Sequence, residues 1–156
     1  MNTYALDLYR QMFLCLKRGR NSVGGKSNAK PILLISILEL IPSLNENVIK
    51  LSDILLNNYY KTNCKLYDCN KSSPIILPYY HLQSEPFYEI IWKDKSKIPI
   101  IKHSPSPKLL SSYIVGTKLD DELWELLQVP KNREYLRNCI INQYLSYKKT
   151  DDGNYI

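Results

Sequence analysis

A chain of 156 residues is long enough for one domain with a substantial core, and 44% hydrophobic with 23% charged residues is ordinary for a globular protein. No apolar run reaches the length of a bilayer span, and the start lacks the basic, apolar and small-residue order of a signal peptide, so a cytoplasmic protein with no membrane partner is expected. The net charge of +6 is segregated. Residues 8–38 hold Arg10, Lys17, Arg18, Arg20, Lys26 and Lys30 and no acid, while residues 110–156 hold six cations against seven acids. Such segregation is the electrostatic footprint of a nucleic-acid binder, and it also suits an acidic protein partner.

In chain order, residues 3–16 place Ala5, Leu8, Tyr9, Met12, Phe13 and Leu16 at helical spacing and predict an amphipathic helix. Gly19 to Ala29, with Gly24-Gly25 among Ser and Asn, reads as a basic loop. Lys30-Pro31 opens a second helix to Ile41, with the proline tolerated in its first turn. That helix is apolar almost all round, the signature of a central buried element. Ser52 is positioned to cap a third helix reaching Tyr60. From Pro74 to Ile101 the chain turns to Ile, Tyr, Phe and Trp broken by prolines, which predicts short strands at 75–80, 87–92 and 98–101. A further strand or extended loop is expected at 111–117. Asp120 then caps a helix with Asp121 and Glu122 in its first turn, running to Leu127. Pro130 starts a last helix, with Leu136, Ile140 and Tyr144 on one stripe. The expected fold class is α+β: a mostly helical domain with a small central antiparallel sheet, spanning residues 1–148, then a polar tail at 149–156.

Catalytic signatures are missing from the sequence. Gly24-Gly25-Lys26 lacks the rest of a phosphate-loop pattern, nothing places a nucleophile beside His81, and the acids are scattered or sit at helix starts. Cys64 and Cys69, four residues apart, resemble half of a zinc site, but no second pair follows and the histidines are His81 and His103. Cys15 and Cys139 fall in apolar helical patterns, where a free thiol acts as a small hydrophobe. The chain is therefore expected to be a binding module rather than an enzyme, with no catalytic residue, metal or cofactor.

The most distinctive stretch is Pro78-Tyr79-Tyr80-His81-Leu82-Gln83-Ser84-Glu85-Pro86-Phe87-Tyr88, which sets His, Gln and Ser among aromatics with a single charge. It reads either as a core strand with a structural His81 or as the wall of a pocket. Likewise, the basic stretch reads either as a solvated face or as a phosphate-binding surface.

Taken with Lys30-Pro31-Ile32-Leu33-Leu34, this run resembles the DNA sulfur-binding domain family, the N-terminal modules of McrA-like, HNH-type, modification-dependent type IV restriction endonucleases. The family patterns are similar to "HKPLLLL" and "PFYHLQSDGFW". Leu119-Asp120-Asp121-Glu122-Leu123-Trp124 and the segment from Pro130 to Leu145 are similar to its closing helices, so the likeness extends over residues 5–147. Such domains bind DNA in which sulfur replaces one non-bridging phosphate oxygen. The resemblance implies a sulfur pocket walled by Leu77, Pro78 and His81, with Tyr79 in the same motif and Lys30 as the cation beside the phosphate. It makes Arg18, Arg20 and Lys26 the basic loop, and Gln83 and Ser84 groove or backbone contacts. The partner implied is double-stranded, phosphorothioate-modified DNA; the HNH motif is missing from this sequence, so it reads either as the recognition domain of a longer enzyme with a covalently linked HNH nuclease domain or as a stand-alone reader. A reader of unmodified or base-modified DNA on the same fold, or a protein-interaction module, are the alternative readings. The chain departs from the family at Ala29, where His is frequent, at Lys30, where Arg is common, and at Pro86, where Gly is usual.

Overall fold

The computed structural model describes residues 3–19, 27–67, 73–95 and 106–145. In order, the elements are α1 (Thr3–Leu14), α2 (Ala29–Leu40) continued by a 3-10 turn (Ile41–Ser43), α3 (Ile54–Tyr67), α4 (Ile76–His81) continued by a 3-10 turn (Leu82–Ser84), β1 (Tyr88–Trp92), α5 (Pro107–Tyr113), β2 (Ile114–Leu119), α6 (Asp121–Leu126) and α7 (Pro130–Ile140), which ends in a π-helical turn (Ile141–Leu145). The α+β expectation holds: the chain is mostly helical, with a small two-stranded antiparallel sheet among the described residues. No helix among the described residues is long and apolar enough to cross a membrane.

Helix α2 is the centre. An apolar surface all round has to be enclosed on every side, and α3, α4 and α7 pack against it. Its one buried polar side chain, Ser36, donates to Ile32 O at 2.7 Å and accepts from Asn63 Nδ2 of α3 at 3.0 Å. Asn63 also donates to Glu39, whose other oxygen lies 3.7 Å from Arg137 of α7. This polar chain fixes three helices in register without leaving a buried group unpaired. Helix α1 buries Ala5, Tyr9 and Phe13 at successive fourth positions, and Phe13 meets Phe87 edge-on with ring centres 4.9 Å apart.

The termini of several elements differ from expectation for local reasons. Asp53, not Ser52, caps α3: its Oδ1 accepts from the N–H groups of Leu55 and Leu56 at 2.9 and 3.3 Å. That helix continues past Tyr60 to Tyr67 because Leu56, Tyr60, Asn63 and Cys64 extend one buried stripe. Asp120 precedes α6 but makes no side-chain cap; its Oδ2 accepts the Tyr9 hydroxyl at 3.0 Å, tying α1 to the closing helices. Cys15, expected in an apolar pattern, is exposed just beyond α1. The 111–117 segment is split. Pro107 starts a helix in which Ser111 and Ser112 bond back to Lys108 O, and the strand begins only at Ile114.

The largest correction concerns 75–80, expected as a strand and found as α4. Pro78 has no N–H to give a ladder but is accommodated in the first turn of a helix. Ile76 and Tyr79 then share the core-facing side, so tertiary burial overrides the strand preference of Ile and Tyr. The strands expected at 87–92 and 98–101 divide: the first is β1, and the second lies outside the described residues, as do the tail at 149–156 and Arg20, Lys26, Cys69 and His103.

β1 and β2 pair from Tyr88↔Leu119 to Ile91↔Gly116, with a bulge before Trp92. On the far side of β2, Ile49 bridges Thr117 through two backbone bonds of 2.7 and 2.9 Å. Gly116 permits this approach: a Cβ there would lie 2.9 Å from Ile49 O and 3.0 Å from Val48 Cγ1. Gly116→Ala is expected to destabilise the fold by about 1–3 kcal/mol through this overpacking, read from urea denaturation midpoints. An unchanged midpoint would refute the close approach.

Candidate nucleic-acid interface

The start of α2 and one side of α4 meet in a pocket of about 410 Å³. Helical geometry decides which residues face it. On α4, Leu77, Pro78 and His81 lie at i, i+1 and i+4 and line the pocket, followed by Ser84 from the 3-10 turn. Tyr79, expected with them, is on the opposite side. It is fully buried, and its hydroxyl donates to Ile49 O at 2.7 Å, so it is structural and is removed from the site. That burial pushes the phenol up to about 12. Gln83 is exposed on the turn beside the pocket without lining it.

Lys30 reaches the pocket from α2. Its Nζ donates to Ser84 Oγ at 2.7 Å and to Glu85 Oε2 at 3.3 Å. The side chains of this ion pair are only 12% and 3% exposed, so both charges are largely withdrawn from water. The same Glu85 oxygen accepts the Lys17 backbone N–H at 2.9 Å. One carboxylate therefore joins α2, the turn after α4 and the chain following α1. Desolvation lowers the Lys30 ammonium below its ordinary value against the opposing pull of Glu85. His81 is lowered too, first by desolvation and then by the neighbouring Lys30, which favours a neutral imidazole at pH 7. Glu85 precedes Pro86 with extended backbone (φ −88°, ψ 145°), the conformation a following proline favours.

The basic segment after α1 is held by the π-helical turn. Tyr144 OH accepts from Leu16 N at 2.9 Å and donates to Phe13 O at 2.7 Å. The Arg18 guanidinium lies 4.7 Å above the Tyr144 ring and donates to Asn28 Oδ1 at 3.0 Å. Arg18 is thus fixed near the start of α2 but does not line the pocket. Ala29, standing where a histidine is frequent in the resembling family, is buried and lines the pocket through its methyl. Ser27 caps its N–H at 3.2 Å.

Sequence reasoning missed Glu85, Tyr144 and Asn28 as parts of this site. Glu85 left a signal: a lone acid in an apolar run has to find a cation once buried. Tyr144 and Asn28 left none, because their roles depend on chain segments far apart in sequence. Among the described residues, no three His, Cys, Asp or Glu side chains gather as a metal-ligand set.

Chemically, the pocket offers one ammonium already partnered by a carboxylate, the serines Ser27, Ser73 and Ser84, and a wall of proline, leucine and imidazole carbon. That combination can hold an anionic group. No protein-family model matches the chain, and no curated protein matches it in sequence.

Proposed function

We propose that this chain is a DNA-binding module that recognises a phosphorothioate in duplex DNA and directs a nuclease to it. One observation carries the reading: Lys30 and the Leu77–Pro78–His81 wall, far apart in sequence, line a single pocket, with Lys17 and Arg18 on the segment next to it. Sulfur is larger and less strongly hydrated than oxygen, so an apolar wall costs it little. An ordinary phosphate oxygen there loses hydrogen bonds worth about 1–3 kcal/mol, a discrimination of roughly fivefold to 150-fold. Glu85 contributes by offsetting the charge of Lys30, which weakens the pull on any phosphate and leaves selection to desolvation. Lys17 and Arg18 supply sequence-independent attraction that weakens with salt. Gln83, which is exposed, would contact a base edge or the backbone in this reading.

The test is fluorescence anisotropy of matched duplexes, with and without one Rp phosphorothioate, at two salt concentrations. Tighter binding of the sulfur duplex at both is expected. Equal affinities would defeat the sulfur reading, and no binding to either would defeat DNA recognition.

Acid pH provides a second check. His81 has its folded value held below its ordinary 6.5, so its neutral form persists until pH falls clearly under that figure. Because the unfolded chain takes up this proton first, the stability the neutral ring contributes is complete above pH 6.5 and declines as pH falls through the window below it. The contribution is small because the residue is exposed. The effect on binding is larger. A protonated His81 adds a cation beside Lys30, so between pH 7.5 and pH 5 the unmodified duplex should bind more tightly and the sulfur preference should shrink. His81→Gln should flatten that pH profile; a profile unchanged by the substitution would remove His81 from the pocket.

A further inference from the structure

We propose a second binding site, on the other side of α4, for a small amphipathic anion: an apolar chain ending in a carboxylate or a phosphate monoester. A cavity of about 970 Å³ lies there, more than twice the volume of the pocket at Lys30 and of small-molecule size. Its walls are Ile75, Ile76 and Tyr79 from α4 and its start, and Leu110, Ile114 and Val115 from the junction of α5 and β2. Tyr79 is fully buried behind this wall, its hydroxyl donating to Ile49 O. Val115, at 46% exposure, leaves apolar surface open to solvent at the mouth.

Among the described residues, the charge lining this cavity has one sign. Lys50, Lys93 and Lys108 line it from three separate segments, and no Asp or Glu lines it among the described residues. Lys93 is oriented by donating to Ser111 O at 2.9 Å. None of the three is in an ion pair among the described residues, whereas Lys30 in the other pocket has Glu85. An anionic head would meet the positive charge of three exposed lysines, while its tail covers the apolar surface that Ile75 and Val115 leave in water. A second copy of the chain fits less well, because a two-fold contact through this face would set lysines against lysines. The DNA backbone fits poorly too, having no apolar body to fill the cavity. This site stands apart from the DNA reading, and failure of either leaves the other intact.

Calorimetric titration of the full chain with decanoate and decyl phosphate, each below its micelle concentration, tests the proposal. Decanol and decyltrimethylammonium are the neutral and cationic controls. Saturable binding of at least one anion, at one per chain, is expected, with the alcohol weaker by about tenfold and the ammonium weaker still. The stronger of the two anions identifies the head group. The exposed triple variant Lys50→Glu, Lys93→Glu, Lys108→Glu, checked for folding by circular dichroism, should weaken the anion by about tenfold or more and leave the alcohol unchanged. Val115→Trp should weaken every ligand by narrowing the mouth. Equal binding of alcohol and anions, or undiminished anion binding by the triple variant, would overturn the proposal. So would a dimer in sedimentation that Val115→Arg dissociates, since the face would then belong to a second copy.

Discussion

Lys30→Ala is expected to lower both stability and DNA affinity, and the two losses should be separable. Removing the ammonium leaves Glu85, with a side chain 3% exposed, as a carboxylate whose remaining side-chain partner among the described residues is the Lys17 N–H. Breaking a buried pair on one side costs about 3–5 kcal/mol; the low end applies here, because Lys30 itself keeps 12% exposure at the pocket. Urea denaturation of the variant should therefore show a loss of about 3 kcal/mol. Binding of modified and unmodified duplexes should fall together, by about tenfold or more, with a shallower salt dependence from the lost phosphate contact. The double variant Lys30→Met, Glu85→Gln replaces the ion pair with groups of similar volume and should recover most of the stability but none of the affinity. Glu85→Gln alone should do the reverse. It frees Lys30 from its counter-charge, so the unmodified duplex binds more tightly and the sulfur preference narrows. Recovered DNA binding in the double variant would show that Lys30 serves the fold and not the ligand.

Much of the architecture was readable because it rests on local signals. The all-apolar α2, the every-fourth-residue stripe of α1 and Pro130 at the start of α7 are patterns that only one arrangement can bury. What escaped reading depended on competition between partners. Asp120 had the sequence of a helix cap, yet the Tyr9 hydroxyl from α1 claims its oxygen. Burial by the surroundings raises that phenol above its ordinary value, and the bond to Asp120 raises it further. Ser52 and Asp53 are both good caps, and the choice between them turns on where the buried stripe begins at Leu56. The 75–80 segment carried strand residues, but its two sides face different surroundings, core on one and pocket on the other, which a six-residue helix satisfies.

The same exchange of strand for helix reshapes the candidate site. In a strand, alternate residues share a face, so Leu77, Tyr79 and His81 would have pointed together and Pro78 away. In α4 the companions are Leu77, Pro78 and His81, while Tyr79 forms part of the larger cavity. Pro78 becomes a wall residue through helical geometry, and Glu85 comes within reach of Lys30 because the 3-10 turn at Leu82–Ser84 folds back toward α2. A motif legible as a string of residues did not reveal which of them act together.

The most selective consequence falls on Pro78. Glycine at this position would remove the ring but also loosen a six-residue helix, by about 1 kcal/mol relative to alanine, and so confuse recognition with folding. Pro78→Ala avoids this, since alanine is the best helix former and the ring occupies a first-turn position that owes no backbone hydrogen bond. The substitution trims two methylenes from the wall. At about 0.8 kcal/mol per methylene, the complementary surface lost is worth at most about fifteenfold in affinity for a sulfur-bearing group. An oxygen gains no comparable contact from those carbons. The Rp phosphorothioate duplex should therefore lose about tenfold in affinity, while the unmodified duplex changes by less than about twofold. Anisotropy titrations of both duplexes against the variant, beside a denaturation curve confirming its stability, decide the matter. An equal loss for both duplexes would make Pro78 a general DNA contact. No loss for either would place the sulfur elsewhere than against Leu77, Pro78 and His81.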